Sequence, residues 1–128
     1  MMSDTIHILL VGHCGPDAHL LASAARGAVP GAKVVAVPDQ QRLDEAMATA
    51  SLLLVNRVLD GGFEAESGID LIRSLTKRNG AAPPALLISN YEDAQRDAEA
   101  AGARPGFGKR AVMTDIARAR IRTALGLE

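Results

Sequence analysis

Short apolar runs alternate along the chain with Ala-rich segments in which apolar positions recur at helical spacing. The runs IHILLVG (6–12), KVVAV (33–37), SLLLVN (51–56) and ALLIS (85–89) are rich in Val, Ile and Leu and show little polar alternation. Strands with this composition are covered on both faces, as in a parallel sheet between two layers of helices. A fifth, weaker strand is read at PGFG (105–108).

The intervening segments carry helix signals. Pro16 stands where a first turn tolerates proline, and Leu20, Leu21, Ala24, Ala25 and Ala28 then repeat at helical spacing until Pro30 and Gly31. Asp39 is placed to cap a second helix with Leu43, Ala46, Met47 and Ala50 inward. Ser67 or Gly68 opens a third, with Leu71, Ile72 and Leu75 inward and Gly80, Pro83 and Pro84 ending it. Asn90 with Asp93 resembles a capping box for a fourth that stops at Gly102. Thr114 is placed to cap a fifth, with Ala117, Ile121 and Leu125 inward. Five βα units in one domain spanning 1–128 predict a doubly wound α/β sheet. Its ligand crevice lies outside the carboxyl ends of the strands. The positions to weigh are therefore Gly12, His13 and Cys14 after strand one, Asn56 after strand three, Ser89 after strand four and Lys109 after strand five.

Composition narrows the function classes. With 48% apolar and 23% charged residues, the 128-residue chain is globular, and its single cysteine, Cys14, excludes an internal disulfide. The N-terminus MMSDTIHI has no basic start or cleavage site, and no apolar run approaches a spanning length, so a cytoplasmic location without membrane contact is expected. A net charge of −1 with 2% aromatics and no Trp argues against nucleic acid as a direct partner. The chain end is locally basic: from Arg104 onward it holds Arg104, Lys109, Arg110, Arg118, Arg120 and Arg122 against Asp115 and Glu128. That imbalance suits a solvated helix face or a partner surface.

The stretches ILLVGHCGPDAHLL, LLLVN…GIDLIRSL, LLISNYEDA and AAGARPGFGKR together resemble the response-regulator receiver domain of two-component signalling, over almost the full chain. The resemblance implies a flavodoxin-like five-stranded parallel sheet of strand order 2-1-3-4-5 with five helices. It also implies a phosphorylation pocket: an acidic pair after strand one, an Asp after strand three, a Ser or Thr after strand four and a Lys after strand five. Aligned on Pro16, His13 and Cys14 fall on the acidic pair; a one-residue shift puts Gly12 and His13 there, and neither register supplies a carboxylate. Asn56 falls on the phosphoacceptor position, whereas Ser89 and Lys109 keep the hydroxyl and the lysine.

Receivers resembling this chain hold Mg²⁺, a hard cation that wants carboxylate and water oxygens. An imidazole, a thiol and an amide do not supply them, and Asn56 lacks the carboxylate oxygen an acyl phosphate needs. No cofactor or metal is expected, and no aspartyl phosphorylation at this site. Asp17 and Asp60 are the candidate substitute acids, Asp60 on a long Gly-containing loop between Asn56 and Gly68 that reads as a surface turn or a mobile lid. The family's switch aromatic would fall on Gly106, while Phe107 alternates to the opposite side as core. Lys109 is followed by Arg110 where the family has Pro, which predicts a trans peptide.

The expected module signals through a protein partner, a histidine kinase or a downstream effector, with Arg118 and Arg122 on a face formed by the fourth helix, fifth strand and fifth helix. Lys109 is expected to freeze the pocket by bonding Asn56 and strand-end carbonyls. Alternatively, Lys109, Ser89 and the first amides of helix one hold a small anion. A phosphorelay receiver working through a substitute acid remains a second reading. A Cys14-based phosphotransfer enzyme is a third, since its loop is similar to the phospho-cysteine loop of phosphotransferase-system B components, although Pro16 removes an amide and Asp17 adds negative charge.

Overall fold

A computed structural model describes residues 5–77 and 82–127. The elements run β1 (His7–Val11), α1 (Gly15–Ala28), β2 (Lys33–Val37), α2 (Gln40–Ala46), β3 (Leu52–Asn56), α3 (Gly68–Thr76), β4 (Ala85–Ile88), α4 (Glu92–Ala100), β5 (Arg104–Phe107), a 3-10 turn at Lys109–Ala111 and α5 (Asp115–Ala124). The strands form one parallel sheet in the order β2-β1-β3-β4-β5, the doubly wound topology read from the sequence. Among the described residues no helix is long and apolar enough to cross a membrane.

Strand alternation divides the core in two. Ile8, Leu10, Leu52, Leu54, Leu86, Ile88 and Phe107 face α1 and α5. Leu9, Val11, Leu53, Val55 and Leu87 face α2, α3 and α4. Each fully buried Leu or Ile contributes about 1.5–3 kcal/mol, so two apolar faces per strand are what hold the central strands β1, β3 and β4 in place. Phe107 is buried on the α5 side, as its alternation predicted.

Several local expectations are corrected. Leu20 is 42% exposed, because the stripe of α1 that meets the sheet is Leu21, Ala24, Ala25 and Ala28. Helix α2 ends at Ala46, with only Leu43 fully buried and Met47 and Ala50 packed at its rim. Asp39 and Ser67 cap as read, accepting from Arg42 N and Asp70 N. Asn90 does not cap α4: Tyr91 holds the N-cap position, and the Asn90 side chain is spent elsewhere. Thr114 occupies the N-cap of α5 but turns its hydroxyl back to donate to Ala111 O at 2.6 Å. Leu125 follows α5 as a partly buried contact to the core. Strand β5 starts at Arg104, one residue earlier than read, and no described peptide bond is cis. The stop expected at Gly80 lies outside the described residues; α3 ends at Thr76.

The loop from Asn56 to Gly68 is not a free lid. A parallel bridge joins Asp39 to Gly62, Gln40 N donates to Gly62 O at 2.7 Å, and Glu64 N donates to Gln40 Oε1 at 3.3 Å. Leu59 and Phe63 pack against the core from this loop. Extra length has been used to zip it onto the β2–α2 junction, where it closes over the end of β1.

Candidate functional site

The sheet register places Asn56 at the carboxyl end of β3, level with Ile88, one step beyond the Val11–Val55 pair. Its Nδ2 donates to Gly12 O at 3.0 Å and to Val58 O at 2.7 Å. Gly12 O also accepts from Asp60 N at 2.9 Å, so one carbonyl at the end of β1 gathers the β3 side chain and the loop backbone. Gly12 is required here twice over: its φ is +76°, and a Cβ would stand 2.7 Å from Leu59 Cδ2. Leu59 therefore lies directly over the end of β1. The task of Asn56 is to donate, which an ionised carboxylate at this position cannot do.

The neighbouring groups are equally committed. His13 lies beside this crossing point and bonds Leu54 O at 2.9 Å through Nε2. A carbonyl only accepts, so Nε2 carries the proton and Nδ1 is left as a bare, buried acceptor without a partner. Burial holds the imidazole pKa below 6.5, reinforced by the Lys109 charge and opposed by the bond to Leu54 and by Asp17. Cys14 is the exposed N-cap of α1 and makes no side-chain cap bond. Asp17, in the first turn of that helix, meets Lys109 Nζ at 2.6 Å. The hydrogen bond from Lys109 holds its carboxyl below the usual range, with the Cys14 thiol adding to the effect against desolvation.

Lys109 therefore pairs with Asp17 and not, as expected, with Asn56. A carboxylate within reach outcompetes an amide oxygen for an ammonium. With the two side chains 43% and 25% exposed, the pair contributes about 1 kcal/mol or less. Its larger effect is to cancel the positive charge that Lys109 alone would bring to the crevice. Asp60 stays exposed, and only its backbone turns inward.

Ser89 is buried, its Oγ accepting from Tyr91 N at 3.1 Å, and Asn90 Oδ1 accepts from Arg110 N at 3.1 Å. Arg57 stacks its guanidinium 5.1 Å from the Tyr91 ring centre. Asn56, Arg57, Ser89, Asn90, Tyr91 and Lys109 line an open cleft of about 150 Å³. The Arg57–Tyr91 contact and the Asn90–Arg110 tie were missed in the sequence. The available signal was position, since Arg57 and Asn90 each follow a strand end at the crevice. An anion held by Lys109, Ser89 and the first turn of α1 would have to displace Asp17 from Lys109, because that carboxylate already occupies the lysine and brings negative charge to the turn, while the Ser89 hydroxyl accepts from Tyr91 N.

The Mg²⁺ implied by the resemblance does not fit this donor set. Among the described residues no group of three His, Cys, Asp or Glu side chains converges as metal ligands. The one carboxylate at the crossing point is held by Lys109, and Asn56 directs hydrogens toward Gly12 and Val58. His19 is exposed on α1.

Arg118 and Arg122 lie on the opposite flank of α5 from the one expected. Arg122 Nη1 donates to Ala28 O at 2.9 Å, closing the carboxyl end of α1. Arg118 pairs with Asp115 and packs beside Gly27 of α1. The flank of α5 toward β5 is instead lined by Ala119, Arg120 and Thr123, facing Arg104 and Pro105.

Two expectations follow. Asn56→Asp replaces two donated bonds by a carboxylate facing carbonyl oxygens, and urea unfolding at pH 7 should show a loss of about 2–3 kcal/mol. Asn56→Asp should recover part of it at acid pH, where the protonated carboxyl donates again. For His13 the unfolded chain takes up a proton before the folded one, so its contribution is full above pH 6.5 and declines as pH falls from there toward the lowered folded value. The urea midpoint should accordingly drop between pH 7.5 and 5.5, and His13→Gln, which can still donate to Leu54 O, should flatten that slope.

No protein-family model matches the sequence, and no curated protein matches it. Solved structures do. The signal receiver domain of a DNA-binding response regulator from Colwellia psychrerythraea 34H superposes with a TM-score of 0.73 at 15% identity, over 94% of this chain and 98% of that one. The bacteriophytochrome response regulator AtBRR gives a TM-score of 0.74 at 14% identity, over 98% and 96% of the two chains. HP1043, an orphan response regulator of H. pylori, gives 0.70 at 14% identity, over 97% and 99%. The chain has the fold of the response-regulator receiver domains.

Proposed function

We propose that this chain is a signalling interaction module that works without Mg²⁺-dependent aspartyl phosphorylation and is not an enzyme. The observation that carries this reading is the Asn56 amide, which donates to Gly12 O and Val58 O at the position where the resemblance calls for a phosphoacceptor carboxylate. The Asn56 amide lacks the carboxylate oxygen that an acyl phosphate needs, and the hydrogens of its nitrogen are committed to two carbonyls. The receiver fold of the structural relatives supports a partner from signalling, a histidine kinase or a downstream effector, in the cytoplasm. The exposed face formed by α4, β5 and α5 is the proposed docking surface. Arg104 and Arg120 are among its cationic residues, with Met113 and Ile116 exposed nearby, whereas Arg118 and Arg122 serve the α1–α5 contact.

A second reading rests on Asp17, the one acid beside the crossing point. Its carboxylate is ionised and next to Lys109, but accepting a phosphoryl group would require that ion pair to break. Cys14 phosphotransfer is disfavoured by the Asp17 charge beside the thiol.

Incubation with a small acyl phosphate, Mg²⁺ and labelled phosphoryl groups separates the readings. The proposal expects no hydroxylamine-sensitive label. Label that disappears in Asp17→Asn or Asp60→Asn would instead establish a receiver working through a substitute acid.

A further inference from the structure

Strand β5 is an edge of the sheet, and it is irregular. Leu86 pairs with Arg104 and Ile88 with Phe107, so β5 carries an extra residue between the two pairs. The bulge contains Pro105 and Gly106. Proline has no N–H, so this stretch cannot offer β4 a full set of backbone donors.

A donor comes from α4. Gln95 Nε2 donates to Leu87 O at 2.9 Å and to Ser89 O at 3.0 Å, with a longer contact to Phe107 O at 3.4 Å. The amide has two hydrogens, so the first two bonds dominate and the third is shared. Gly106 makes room for this: a Cβ there would stand 2.2 Å from Leu87 O and 2.9 Å from Gln95 Oε1. Gln95 Oε1 is itself buried without a partner. The side chain is thus held by its nitrogen alone, and its donated bonds outweigh an acceptor left unsatisfied.

Ser89 belongs to the crevice. Its carbonyl receives Gln95 while its hydroxyl receives Tyr91 N, at the start of the same helix. One side chain therefore touches β4, β5 and the β4–α4 loop together. We propose that Gln95 is a clamp that fixes α4 to the bulged β4–β5 edge and to the Ser89 loop, so that the α4–β5 face and the crevice keep one joint arrangement without any modification of the pocket. Gln95 is a positioning residue, and the clamp stands whether or not a partner docks on that face.

Amide hydrogen exchange read by NMR tests the clamp. Gln95→Met keeps the length of the side chain and removes its donors, and Gly106→Ala invades the niche from the other side. Both should accelerate exchange at Tyr91 and Ala98 on the order of tenfold, the equilibrium equivalent of losing one net hydrogen bond. Leu9 in β1 and Leu53 in β3 should keep their protection. Gln95→Glu, equally long but without a donor when ionised, should give the same local pattern. Equal acceleration in β1, β3 and α4 would mean a general loss of stability, and unchanged exchange in α4 would mean that its apolar face suffices; either result overturns the clamp.

Discussion

The carbonyl of Gly12 is the point on which the crevice depends. It follows β1 directly and accepts from the Asn56 side chain of the neighbouring central strand β3 and from the Asp60 backbone of the loop that follows. These bonds tie the β1 and β3 ends together and bring Leu59 over the junction. A part-buried peptide carbonyl needs donors, and Asn56 Nδ2 and Asp60 N supply them. Carboxylates in the same place would reverse the polarity of the site, so an arrangement built to hold a divalent cation and one built around donated amide hydrogens exclude each other.

Charge follows the same logic. Lys109 alone would leave a cation in the crevice, but Asp17 supplies the balancing carboxylate from the first turn of α1. His13 stays neutral because burial and the nearby ammonium both disfavour a proton on Nδ1. The Lys109–Asp17 pair balances itself, and Arg57, stacked on Tyr91, brings a positive charge to the cleft. The proposed function rests on these commitments: the Asn56 amide donates to two carbonyls and the Asp17 carboxylate is paired with Lys109.

The fold was legible because uninterrupted Val, Ile and Leu runs have one economical solution, a parallel sheet covered on both faces, and because Asp39 and Ser67 cap where short polar residues precede helical periodicity. Caps that compete with tertiary partners were not legible: Asn90 is drawn to Arg110 N, and Thr114 to Ala111 O. The identities of the strand-end residues were visible, but their pairing was not. Nothing in the spacing says that Lys109 reaches across to Asp17, or that the loop after Asn56 zips onto Gln40 and Asp39. The flank of a helix is likewise invisible until its neighbours are known, which is why Arg118 and Arg122 were assigned to the wrong side of α5. Gln95 escaped notice because a mid-helix glutamine reads as solvated unless the Pro105–Gly106 bulge opposite it is recognised as short of donors.

The most direct measurement is of scalar coupling across hydrogen bonds by NMR, from Asn56 Nδ2 to the carbonyl carbons of Gly12 and Val58. The account predicts both couplings, together with slow exchange of the Asn56 side-chain amide protons. Absence of both couplings, with those protons exchanging as a solvent-exposed primary amide, would show that Asn56 does not close the crevice, and the account would fall.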